Sequence, residues 1–123
     1  MIISKKLALR LLGLIASAFL FTMGILHLSG INYFKDLVLS SDLSPMIKDV
    51  FPVLFALPSL QLIGFSIVGA MEIFSRGDSS KVFRLLSLLV FLDAIVAVYL
   101  GVWLPAILLF IPAGLFLILC YRK

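Results

Sequence analysis

Four long apolar runs, separated by short polar or charged segments, dominate the chain. The first covers residues 7–29 and is interrupted only by Arg10 near its start; the others cover 53–74, 83–102 and 104–121. A helix needs about 20 mostly apolar residues to cross about 30 Å of hydrocarbon. None of the runs alternates strictly with period two, as the strands of a membrane β-barrel do. The predicted fold is therefore all-α: a polytopic four-transmembrane-helix bundle, forming a single domain over residues 1–123.

The connections add detail. The first, residues 30–52, is an outer loop expected to contain short interfacial helices. Its stretch INYFKDLVL puts Phe34, Leu37 and Val38 on one helical face and Lys35 and Asp36 on another, a pattern suited to a helix lying in the interface. Ser44 followed by Pro45 reads as an N-cap and a first-turn proline, predicting a second short helix over 45–50. The loop could serve as a lid over the outer end or as a docking surface. Helices three and four are joined by a few residues around Val102, Trp103 and Leu104, with Pro105 in the first turn of the last helix, so they must be antiparallel neighbours. Trp103 and Tyr99 fall at the outer headgroups and Tyr121 at the inner ones. Pro58 and Pro112 interrupt spans two and four, freeing the carbonyls of Leu54 and Leu108.

Composition strengthens the membrane assignment. The chain is 63% hydrophobic and only 13% charged, against about 45–50% and about 25% in soluble domains. A soluble fold of 123 residues could not hide so much apolar surface, and disordered chains are poor in it. The net charge is +4, but the basic residues sit at the ends of the apolar runs, which points to topology and anionic lipid rather than nucleic acid. Lys5, Lys6, Arg10, Arg76, Lys81, Arg84, Arg122 and Lys123 would share one side; Lys35 and Lys48, balanced by Asp36, Asp42 and Asp49, lie on the other. Eight against two puts both termini in the cytoplasm, and the expected location is a bacterial inner membrane. Lys5, Lys6 and Arg10 before an apolar stretch resemble a signal peptide, but the apolar part is too long for a typical h-region and no convincing small-residue cleavage site follows. The segment is read as an uncleaved first helix.

The single cysteine, Cys120, excludes an intramolecular disulfide or CxxC chemistry and argues against a quinone-coupled thiol oxidoreductase. Palmitoylation and plain apolar packing both remain open for it. One histidine excludes a bis-histidine haem site within the chain. No cofactor and no metal are expected.

Candidate chemistry lies in the polar residues of the spans: Asp93, Gln61, His27 and Glu72. An Asp at a helix centre costs about 2.5–3.5 kcal/mol on insertion scales. Asp93 lies nine residues beyond Arg84, about 14 Å from the inner boundary; Gln61 lies about 20 Å up and His27 about 26 Å up. Glu72, at the inner end, is expected to form a structural ion pair with Arg76 or Arg10. Three stripes put the polar groups beside small residues: Gly13, Ser17, Leu20, Gly24 and His27; Gln61, Gly64, Val68 and Glu72; and Val90, Asp93, Ala97 and Gly101. Small residues let helices approach closely in lipid, so these stripes are expected to face the bundle interior. A chain of Asp93, Gln61 and His27 toward the outer side is then a geometric option. Asp93 reads either as a proton-relay or cation-binding carboxyl, or as a neutral group donating to Gln61 or a backbone carbonyl. His27 reads as a relay residue, a metal ligand or an interfacial hydrogen-bonding group.

The first span ends in GILHL (24–28) after an ALRLLG start (8–13), a proline-containing loop leads to IVGAMEI (67–73), and a basic turn and a helical hairpin follow. This order resembles the small bacterial four-helix membrane proteins of the DoxX-like group. The resemblance implies a four-helix bundle, sometimes attached to respiratory or redox membrane complexes. In that group the acid of the second span sits closer to the outer half, whereas Glu72 is at the inner end, and no catalytic residue carries over.

Three functions follow from these features. The first is a non-catalytic accessory or assembly subunit that packs against a larger membrane complex, its partners being the lipid bilayer and another membrane protein or further copies of itself. The second is a small oligomeric transporter or proton-coupled carrier using Asp93. Four helices rarely enclose a path alone, and no internal repeat of the transporter kind is evident. The third is a lipid or quinone enzyme, for which only His27 and Asp93 could supply an acid–base pair. Their estimated depths differ by about 12 Å, which argues against contact.

Overall fold

The computed structural model describes residues 4–121. Arg122 and Lys123, part of the basic cluster expected on the inner side, lie outside the described residues. Five helices follow in order: α1 (Lys5–Ser29), α2 (Ile31–Leu39), α3 (Pro45–Phe74), α4 (Ser80–Tyr99) and α5 (Trp103–Cys120). No strand occurs among the described residues. The four long helices α1, α3, α4 and α5 are each long and apolar enough to cross a membrane.

Helix α1 begins where the Ser4 hydroxyl accepts from the Leu7 N–H at 3.3 Å, satisfying one orphan donor of the first turn. Only Gly30, in a right-handed helical conformation, separates α1 from α2. Helix α2 is the amphipathic INYFKDLVL segment, and none of its residues is buried.

The second expected loop helix is not separate. Residues 45–50 are the first turns of α3, which runs without a break to Phe74 and includes Pro52 and Pro58. Pro45 starts it as a first-turn proline. The two internal prolines each remove one donor, but neighbouring elements can compensate for a single lost bond, as they commonly do for prolines in apolar helices. The Lys48 ammonium donates to the Leu39 carbonyl at 3.1 Å, tying the start of α3 to the end of α2. Thirty residues make a rod of about 45 Å, longer than a hydrocarbon layer of about 30 Å.

The α4–α5 turn also differs from expectation. Gly101 is not part of the α4 stripe. It follows the helix with φ of +76°, its N–H donates to the Val98 carbonyl at 2.9 Å, and the Val102 N–H reaches the Ala97 carbonyl at 3.0 Å. This pair of bonds is a Schellman motif, and glycine is favoured at its left-handed position.

Helix α1 packs most closely on α3, and α4 on α5; α1 against α5 joins the two pairs, while α3 and α4 meet at few points. Phe116 fills the middle, fully buried and stacked on Phe83 with centroids 5.9 Å apart. Along the α1–α3 seam the Ser66 hydroxyl donates to the Ser17 carbonyl at 2.7 Å, and between α4 and α5 the Ser87 hydroxyl donates to the Ala113 carbonyl at 2.8 Å. Helix α1 buries Gly13, Ser17, Leu20 and Gly24 of its predicted stripe, while His27, the polar member at its end, is exposed rather than turned into the bundle.

Helix α3 presents a different face from the expected one. Its buried residues are Ser59, Leu62, Ser66, Gly69 and Ile73, while Gln61 and Val68 are exposed. Two small-residue rows run along this helix, and only the row containing Ser59, Ser66 and Gly69 matches the surface of α1. On α4, Val90 and Ala97 are buried and Asp93 sits at the margin of that face, half-buried.

Candidate functional site

The open seam between α3 and α4 is bridged by one polar pair. Gln61 Nε2 donates to Asp93 Oδ1 at 3.1 Å and to Oδ2 at 3.0 Å. Both residues lie well inside long apolar helices, and the bridge is exposed on the outside of the bundle. Gly64, three residues beyond Gln61, has open space where a Cβ would stand. Every Lys and Arg of the four long helices falls in their first two turns. Nothing cationic in the described chain is therefore near the middle of α4. Asp93 and Gln61 are brought together, but with Gln61 donating to both carboxyl oxygens rather than Asp93 donating to Gln61 as expected from the sequence.

His27 does not extend this pair. Its Nδ1 lies 2.8 Å from the Ser59 hydroxyl, on the α1–α3 seam. The imidazole also stacks on Phe55 at 4.4 Å, and Phe55 in turn contacts Phe34 of α2 and Phe51 at 5.2 and 5.6 Å. His27 is thus the hinge of an aromatic cluster that holds α2 against α3. No group of three or more His, Cys, Asp or Glu residues is placed to hold a metal among the described residues.

At the opposite end, Arg10, Glu72, Asp78, Ser79, Phe83 and Leu119 line a cavity of about 220 Å³. Arg10 and Glu72 share its wall, but among the described residues no ion pair within 4.0 Å links Glu72 to Arg10 or Arg76. The Glu72 backbone carbonyl is what closes this end, accepting from the Ser75 N–H and the Ser79 hydroxyl at 3.2 Å each. The Asp78 carboxylate accepts from the Ser80 N–H at 3.0 Å, at the start of α4. The Arg84 guanidinium lies 6.0 Å from the Tyr121 ring, so these two mark the same end as Arg10.

Of the buried serines only Ser17 belongs to a stripe read from the sequence; Ser59, Ser66 and Ser87 do not. Ser17, Ser59, Ser66 and Ser87 are all nearly inaccessible. The spacing of Ser59, Ser66 and Gly69 was the available signal, but it competes with the Gln61–Gly64 row on the same helix. Comparison of the chain with protein-family models, with curated proteins and with solved structures finds no match.

Proposed function

We propose that this chain is a polytopic integral membrane protein of the bacterial inner membrane, with both termini in the cytoplasm. In this reading it is a non-catalytic accessory or assembly subunit that packs against a larger membrane complex, and its kinship is with the DoxX-like group. The observation that carries the reading is the Gln61–Asp93 pair on the outer side of the α3–α4 seam. In hydrocarbon an exposed carboxyl and amide are expensive, and such groups normally face protein or water. A face that displays them is a face made to be covered by another helix.

Site-specific photocrosslinking in native membranes tests this. A crosslinker at Val96, exposed on α4 one turn from Asp93 and on its face, should give a discrete protein adduct, whereas one at Ile25, exposed on α1, should give chiefly lipid adducts. Lipid adducts alone from the α3–α4 face would overturn the reading. The second reading, a small oligomeric proton-coupled carrier, is favoured by the same carboxyl, and a charge-removing substitution separates the two.

A further inference from the structure

We propose that the partner at the α3–α4 face is a second copy of this chain, and that the two copies complete each other's Gln61–Asp93 site. This rests on the reading of that face as a protein-packing face, and it means that the larger assembly receives the subunit as a dimer.

Hydrogen-bond bookkeeping leads to this partner. Gln61 uses its Nε2 on Asp93, while its Oε1 acceptor has no partner among the described residues. Asp93 as the neutral acid has one O–H to donate. Each copy therefore offers one unused acceptor and one unused donor, side by side and exposed. In a membrane, two copies of the same orientation that close into a symmetric pair are related by a two-fold axis along the membrane normal, and such an interface is isologous. That axis preserves depth. Gln61 and Asp93 already share a depth, because they touch within one copy, so each Asp93 O–H meets the other copy's Gln61 Oε1 at the matching height. The resulting four-membered network leaves neither group facing hydrocarbon. Gly64, on the same face with nothing within 4 Å of its Cβ position, lets the two α3 helices approach closely. A cationic partner helix would satisfy Asp93 as well, but would leave the Gln61 acceptor dependent on a further donor, whereas a second copy satisfies both groups at once.

Disulfide crosslinking of the full chain in native membranes tests the proposal. In a background with Cys120→Ser, Gly64→Cys on α3 should form an oxidant-dependent dimer, and Ile25→Cys on α1 should not. Adding Gln61→Leu and Asp93→Leu should weaken that dimer by roughly tenfold, because two intramembrane hydrogen bonds are lost. Circular dichroism of the same variants checks that the helices remain. Three outcomes overturn the proposal. A dimer that is indifferent to both leucine substitutions removes the pair's role. A dimer formed equally through Ile25→Cys removes the face. A monomer whose Val96 photocrosslinker captures a different membrane protein replaces the second copy by that protein and leaves the accessory-subunit reading standing. A monomer that captures only lipid removes both.

Discussion

Gly24 of α1 rests directly on the backbone of Ser59 in α3: a Cβ at Gly24 would stand 2.9 Å from the Ser59 carbonyl oxygen and 2.8 Å from the Ile63 side chain. A side chain could move aside, but the helix backbone cannot do so cheaply. Gly24→Ala should therefore destabilise the bundle by about 1–3 kcal/mol through overpacking. Gly64→Ala, made into open space, should change the stability of the isolated bundle little. Unfolding titrations in mild detergent compare the two.

The His27–Ser59 contact fixes the same seam at the end nearest α2. A double-mutant cycle with His27→Ala and Ser59→Ala should give a coupling of about 0.6 kcal/mol, and no more than about 1.7, the range for hydrogen bonds between membrane helices. His27→Ala should lose more stability than Ser59→Ala, since it also removes the stack on Phe55. Equal losses would show that the ring contact contributes nothing.

Asp93→Asn separates the two functional readings. Asn can still hydrogen-bond to Gln61, so an accessory subunit should tolerate it, with assembly and growth close to wild type. A proton-coupled carrier should lose flux entirely, because Asn cannot exchange a proton. Flux assays in vesicles alongside growth of the host strain read both. Asp93→Leu should impair assembly in either case by leaving Gln61 unpaired.

Gly101 carries a backbone constraint. At φ of +76° an L-residue with a Cβ is strained, so Gly101→Ala should destabilise the α4–α5 hairpin by about 1–2 kcal/mol, with Gly101→Asn milder. Hydrogen exchange at the Val102 N–H, which closes the motif, reports the loosening directly.

Orientation is open to thiol labelling. Cys120 is buried and should react slowly. In a Cys120→Ser background, Asp42→Cys in the α2–α3 connection should label in intact cells with an impermeant reagent, and Gly77→Cys only after permeabilisation. The reverse pattern would invert the topology drawn from the basic residues.

Much of the architecture could be read from residues alone. Four apolar runs separated by turns leave a chain this size few forms but four long helices, and INYFKDLVL has the pattern of the short helix it forms. The length of α3 was harder to read. Pro52 looks like the end of a loop in sequence, whereas in the structure α3 runs through it as one helix from Pro45 to Phe74. The faces were least legible of all. In a helix that is apolar on every side, leucine serves the core and the lipid-facing surface equally well, so hydrophobic periodicity carries little information about which side turns inward.

The sequence by itself determined the four long apolar helices, the short amphipathic helix after the first of them, the charge asymmetry from which an orientation is proposed, and the presence of an acid inside α4. The tertiary structure decided which side of α3 meets α1, that His27 pairs with Ser59, and that Gln61 and Asp93 meet across the loosest seam. The reason is steric: a Cβ on Gly24 would stand under 3 Å from the Ser59 carbonyl, and one on Gly69 under 3 Å from Ser17 and Phe116, so these fits depend on two helix surfaces at once. Once those surfaces are joined, the Gln61 row has nowhere to point but outward.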